Sequence, residues 1–255
     1  MNKCHIYIDG TWLFKQCGKG GILTKATCEQ VFFLDFTKLK NLIMHTIADQ
    51  VSPGSFWYFT SIIENVPQSD SEGNSLQSLS NTSVAKTKTV SSARYAGFDT
   101  SGVFRVPFRP WMPKRINDGT FEEKLVDTSL VARMVLSCIT NPNDYHVLIS
   151  GDLDMMAAVS IVVPDYLQKV ILFTAHPDQW DPNMQQTSKK LHDFIFSSGP
   201  YYLENYADQL MSLLTDQNLY TCTQCKLPYI THQVVPQGTN AFCTNCQQSR
   251  PLRRR

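Results

Sequence analysis

Asp9 closes the apolar run Ile6-Tyr7-Ile8, and Asp152 and Asp154 follow the apolar run Val147-Leu148-Ile149 through Ser150-Gly151. Both runs read as buried strands, and in an open parallel sheet the functional crevice lies beyond the carboxyl ends of the strands. Acids at two such ends converge there, and Asp127, early in the helix that the spacing predicts over 121–138, reaches the same edge. Carboxylates gathered in one place repel one another, so a protein keeps them together mainly to hold a hard cation such as Mg²⁺ or Mn²⁺. A carboxylate-bound divalent ion polarises a phosphodiester, orients a water for in-line attack and stabilises the leaving oxygen. Hydrolysis of a nucleic-acid backbone is one natural outcome. Taken singly the acids have plainer readings: Asp9-Gly10 as a turn, Asp152-Leu153-Asp154 as a helix cap, Asp127 as a surface residue. The set of four favours the metal.

A second constellation lies near the end of the chain. Cys222-Thr223-Gln224-Cys225 and Cys243-Thr244-Asn245-Cys246 form two C-x-x-C knuckles separated by 17 residues, the spacing of a structural four-cysteine Zn²⁺ site. A tetrahedral set of four thiolates leaves no open position, which argues for structure over catalysis. The segment has too little core to fold unaided, so the metal is expected to supply much of its stability. A redox pair or an iron centre are the alternatives. His232 lies between the knuckles, but four cysteines already complete the site. The tail, Arg250 with Arg253-Arg254-Arg255, adds positive charge beside the module. Zinc ribbons commonly bind nucleic acid or protein, so the module is expected either to hold substrate near the cleft or to dock a protein partner. Cys4, Cys17, Cys28 and Cys138 lack metal spacing and read as ordinary thiols.

Strands and helices must deliver these groups. Cys4 to Ile8, Ser55 to Ile63, Val103 to Phe108, Tyr145 to Ile149 and Val170 to Thr174 read as strands. Helices are expected over Phe36 to Ala48, as the first of the fold, and over 121–138, with a short one from Met155 to Val162 and closing ones over Ser188 to Ser197 and Tyr201 to Leu214. Glu64 to about Ser92, rich in Ser, Thr, Asn and Gln, reads as a long mobile loop around at most a short helix. Strands alternating with helices predict an α/β domain over 1–197 whose mainly parallel sheet carries helices on both faces. A linker helix over 198–218, the zinc ribbon over 219–250 and a basic tail over 251–255 complete the expected plan.

Bulk properties bound the partners. With 255 residues and 42% hydrophobic content the chain can bury one ordinary core plus an appendage. It has no run of 18 apolar residues, so neither a membrane span nor a secretory signal is expected, and four cysteines in paired knuckles suit a reducing compartment; the cytosol is the expected location. At a net charge of +1, contact with nucleic acid must come from local patches. Arg105, Arg109, Lys114 and Arg115 around Phe108 to Trp111 form one such patch; a solvated loop around a buried Trp is the plainer reading. Lys124 reads as a phosphate contact or a solvated helix residue, and Ser150 as a support for the metal or a helix cap. Nothing in the sequence speaks to an oligomeric state.

Three ordered segments resemble the signatures of NYN-domain proteins: Ile6-Tyr7-Ile8-Asp9-Gly10, Glu123-Lys124-Leu125-Val126-Asp127-Thr128-Ser129-Leu130, and Ile149-Ser150-Gly151-Asp152-Leu153-Asp154-Met155. The family forms are hydrophobic-D-G-x-N, K-x-V-D-x-x-L and S-G-D-x-D-F. The resemblance implies a PIN-like, Rossmann-like fold and a metal-dependent endoribonuclease activity in which Asp9, Asp127, Asp152 and Asp154 hold Mg²⁺ or Mn²⁺. RNA is then the expected substrate, with DNA second. Trp12 stands where the family carries Asn, Leu125 where it often carries Gly, and Met155 where it carries an aromatic residue. Two other readings compete. A non-catalytic RNA- or protein-binding adaptor keeps the fold while Trp12 blocks the cleft. Ile8-Asp9-Gly10-Thr11 is also similar to the D-x-D-G-T start of haloacid-dehalogenase-like phosphatases, but Tyr7 stands in the nucleophile's place.

Overall fold

The computed structural model describes residues 1–18, 21–23, 31–47, 51–117, 124–152, 155, 170–176, 200–214, 219–224, 228–230 and 242. Six strands form one sheet: β1 (Lys3–Asp9), β3 (Ser52–Glu64), β4 (Val103–Pro107), β5 (Tyr145–Ile149), β6 (Val170–Thr174) and β7 (Tyr201–Tyr202), in the order β4-β3-β1-β5-β6-β7. Every neighbouring pair is parallel. The chain lays down β1, β3 and β4 outward on one side, then crosses to β5 and continues outward on the other. The order therefore reverses between β1 and β5, which is where such sheets open a crevice.

Pleating splits the core into two layers. Ile6, Ile8, Tyr58, Ile62, Val147, Ile149 and Phe173 face α2 (Phe36–Thr46) and α3 (Gln77–Tyr95), meeting Phe36, Leu39, Ile43, Val90 and Ala93. Alternate residues Tyr7, Phe59, Leu148, Val170 and Leu172 face α5 (Lys124–Thr140), meeting Val126, Leu130, Met134 and Cys138. With both faces covered, the central strands are near-continuous apolar runs, as a doubly wound parallel sheet requires. Each fully buried aliphatic side chain there contributes roughly 1.5–3 kcal/mol.

The expected strands are all present, with β3 extended at both ends. Several other expectations are corrected. The first helix is not the one over 36–48: α1 (Gly10–Gln16) starts directly after Asp9, which caps it by accepting from the Trp12 amide at 2.9 Å. Asp9-Gly10 is thus a strand-to-helix junction, not a free turn. Gly10 is required by close approach, because a Cβ there would fall 2.3 Å from the Tyr58 ring.

The polar stretch expected as a loop contains the 19-residue α3. Its hydroxyls bond within the helix: Thr82, Thr87, Thr89 and Ser91 donate to the carbonyls of Ser78, Ser83, Ala85 and Thr87, four residues back. Packing of Val90 and Ala93 on the sheet overrides the poor propensity. The helix expected over 201–214, the core of the predicted linker, is instead β7, a 3₁₀ turn (Leu203–Tyr206), a helical turn (Ala207–Leu210) and β8 (Met211–Leu214). Pairing decides this outcome: β7 adds to the main sheet, and β8 pairs antiparallel with β2 (Val31–Leu34).

A small hairpin, β9 (Leu219–Thr221) with β10 (Pro228–Ile230), follows, and β10 packs against α3. Buried Cys222 stands where the chain leaves β9. Cys225, Cys243 and Cys246 lie outside the described residues, as do Cys28, the basic tail and the expected helices over 156–162 and 188–197. No helix among the described residues is long and apolar enough to cross a membrane.

Candidate functional site

Asp9 sits at the carboxyl end of β1, 2% exposed, on the α5 side of the sheet. Its neighbour across the strand-order reversal is Ser150, because Ile8 pairs with Ile149 and the next residues follow in register. Ser150 Oγ donates to Asp9 Oδ2 at 2.8 Å and accepts from the Asp152 amide at 3.0 Å. The other carboxylate oxygen, Oδ1, is the one that caps α1. The Asp9 carboxylate is therefore held at the switch point from two sides, and half-buried Asp152 stands beside it.

Asp127 lies in the first turn of α5, half-buried. Four residues separate the end of α5 from β5, so the helix runs back along the strands and its first turn is at the carboxyl edge. Asp9, Asp127 and Asp152 nevertheless do not close into a three-ligand group by themselves: no such cluster of His, Cys, Asp and Glu occurs among the described residues. Asp154 lies outside those residues. Lys124 is the first residue of α5, at the same edge.

The cation set is better judged by what surrounds it. Mg²⁺ usually takes only one or two carboxylates and keeps several waters, and such a site needs oxygen partners for those waters. Ser61 Oγ and Thr174 Oγ1 are both buried without a hydrogen-bond partner, and both lie on the α5 side of the sheet by strand alternation. An unanswered buried hydroxyl costs about 1–3 kcal/mol; these two stand on β3 and β6, three strand spacings or about 14 Å apart, so each has to be explained by itself. Asp9, Asp152, Ser150 and Thr174 at this edge carry oxygen donors of the kind that suit Mg²⁺ or Mn²⁺. Thr174 was missed by the sequence reading. The signal was present, since Ile6-Tyr7-Ile8-Asp9, Val147-Leu148-Ile149-Ser150 and Ile171-Leu172-Phe173-Thr174 are three apolar runs each ending in an oxygen-bearing side chain.

Trp12, on α1, lies against the loop that follows β5. A Cβ on Gly151 would fall 2.4 Å from its Nε1, so the indole rests on the glycine of the Ser150-Gly151-Asp152 loop. Beyond β4, the basic stretch leading into the short helix α4 (Met112–Asn117) also reaches the carboxyl edge, about 10 Å sideways from β1 by strand spacing. Trp111 is 49% exposed, against the plainer expectation of a buried ring, and the Arg115 guanidinium lies 5.0 Å from its centre. Arg109 and Lys114 are exposed there as well. Arg105 is engaged by Glu64 at 2.8 Å. Tyr7, the residue in the phosphatase nucleophile's place, is fully buried and bonded to His146, and burial pushes its phenol above the ordinary range.

These features define a doubly wound α/β protein with a carboxylate and hydroxyl cluster at its strand-order reversal. No family model matches the chain, and no curated protein matches it. A solved structure from Vibrio parahaemolyticus, described only as a protein of unknown function, is similar at 16% identity and a TM-score of 0.44, covering 84% of this chain and 96% of its own.

Proposed function

We propose that the chain is a metal-dependent endoribonuclease of the NYN, PIN-like kind, acting at the junction of β1 and β5. The observation that carries this reading is the buried Asp9 carboxylate, clamped by Ser150 from the neighbouring strand and flanked by Asp152. Asp9, Asp127, Asp152 and Asp154 would hold Mg²⁺ or Mn²⁺, which supplies a polarised phosphate and an activated water when bound. Ser150 fixes the Asp9 carboxylate. Lys124, Arg109 and Arg115 contact phosphates along the same edge, and Trp111 offers a face for an unpaired base. Zn²⁺ on Cys222, Cys225, Cys243 and Cys246 folds a C-terminal module that holds RNA or a protein partner. Single-stranded or structured DNA is the secondary substrate.

One observation favours the non-catalytic adaptor: the Trp12 indole seated on Gly151 narrows the crevice where the family carries a small polar residue. A single experiment separates the two. Incubated with a mixed RNA pool and Mn²⁺, the full chain is expected to cut, to stop cutting on chelation, and to be inactive as Asp152→Asn. Tight RNA binding without any cleavage by the wild type would instead establish the adaptor.

A further inference from the structure

We infer that Thr174 belongs to the same site, as a positioning residue whose hydroxyl donates its proton to a water in the cation's shell. This rests on reading the carboxyl edge as a cation site. Ile8 pairs with Ile149, and Ile149 pairs with Phe173, so Asp9, Ser150 and Thr174 end three adjacent parallel strands in one row. The Ser150 amide donates to the Phe173 carbonyl at 3.2 Å, which locks the last step of that row. Alternation along each strand puts all three side chains on the α5 side, since Tyr7, Leu148 and Leu172, two residues earlier in each case, share the α5 core.

Their hydrogen bonding differs. Ser150 donates to Asp9 and accepts from Asp152, so its hydroxyl is engaged in both directions. Thr174 is 0% exposed and its Oγ1 has no partner at all. A hydroxyl needs an acceptor for its proton, and a bare cation cannot accept one. A water can, and a divalent ion held by one or two carboxylates keeps waters to offer. A β-strand core position at which an apolar residue of equal size would serve packing better holds a hydroxyl instead. Groups that hydrogen-bond to a metal's ligands orient them and tune affinity.

The test measures Mn²⁺ binding by titration calorimetry on the full chain, with thermal melting of the metal-free protein alongside. Thr174→Val, which keeps the shape and removes the oxygen, is expected to weaken Mn²⁺ binding roughly 10-fold or more. Thr174→Ser is expected to restore wild-type binding, and the metal-free melting temperature of Thr174→Val is expected to be unchanged or higher. A purely structural hydroxyl would give the opposite pattern, a less stable variant with unchanged Mn²⁺ affinity, and that result overturns the inference. Thr174→Ala carries the same expected loss of affinity, so a Val variant that fails to fold does not shelter the claim. If Asp152→Asn weakens Mn²⁺ binding while Thr174→Val and Thr174→Ala do not, Thr174 is excluded and the cation site stands. If the wild type binds no Mn²⁺, both fall.

Discussion

The two ends of the central strands use polar residues in opposite ways. At the amino end, on the same α5 side of the sheet, His5, Tyr7, His146 and Trp57 form a stacked ladder across β5, β1 and β3, with ring centres 5.1–6.1 Å apart. Both nitrogens of each histidine and the Tyr7 hydroxyl have partners there. The Ser55 amide donates to His5 Nδ1, and His5 Nε2 donates to Asp144, which also accepts from the Lys3 amide. His146 Nε2 donates to the Asn141 carbonyl, which fixes the tautomer and leaves Nδ1 to accept from the Tyr7 hydroxyl at 3.0 Å. At the carboxyl end the count does not close: Asp9 and Asp152 gather at one edge, and two buried hydroxyls have no partner. A closed network fixes the fold, while buried groups left unanswered cost it stability.

Acid should break the amino end first, and with the largest effect. Burial, reinforced by the neighbouring His5 ring and outweighing the Asn141 bond and Asp144, pulls the His146 pKa down to about 4 from the ordinary 6.5. Between these values the unfolded chain binds a proton that the folded chain refuses, so stability falls as pH falls. The contribution is complete above about 6.5 and is lost progressively toward 4, at a total of about 3 kcal/mol. Asp144 continues the trend: burial alone would raise its pKa, but the Lys3 amide and His5 outweigh it, so its contribution is present above the ordinary carboxylate range and lost below it. Urea midpoints at pH 7.5, 5.5 and 4.5 read the slope. A flat profile would show that the ladder is not what burial makes it.

Removing one hydroxyl from each end sharpens the contrast. Tyr7→Phe leaves His146 Nδ1 without its donor and should cost about 1–3 kcal/mol of stability in denaturant titrations. Thr174→Val, by contrast, should cost no metal-free stability while weakening Mn²⁺ binding. Equal losses from both would erase the distinction between a closed and an open network. A smaller effect concerns the Trp12 contact. Gly151→Ala places a methyl 2.4 Å from the indole, so it should destabilise by about 1–2 kcal/mol and shift tryptophan emission. In a double-mutant cycle, Gly151→Ala should cost little when made in a Trp12→Ala background, whose own loss of core packing is measured separately. If Gly151→Ala costs as much there as in the wild type, the indole is not what the new methyl meets.

Much of this was legible in the sequence for a plain reason. The five expected strands are apolar runs long enough to declare themselves, and a buried parallel sheet needs little else. The acids at their ends followed from the same runs. Asp9, Ser150 and Asp152 do come together; Asp127 reaches the edge without completing a ligand group, and Asp154 lies outside the described residues. The misses share a cause. The stretch from Glu64 to about Ser92 read as a loop around a short helix because Ser and Thr favour turns by bonding to the backbone, yet in α3 the same hydroxyls bond four residues back and leave a 19-residue helix intact. Residues 201–214 read as a helix because their apolar spacing allowed it, whereas strand partners at β6 and β2 claimed them. Trp12 was visible as a departure from a motif, but its contact with Gly151 was not.

By itself the sequence determined which segments are apolar, where carboxylates and cysteines interrupt them, and hence an α/β plan with oxygen-bearing side chains at strand ends. Those are local properties, set by side-chain type and by periodicity. Only the tertiary structure decided that β1 and β5 are neighbours and that Asp9, Ser150 and Thr174 share a row. It also decided that the Thr174 hydroxyl is left without an answer. Strand order and register join residues more than 140 positions apart, from Asp9 to Ser150 and Thr174, and no spacing along the chain encodes a hydrogen bond of that reach.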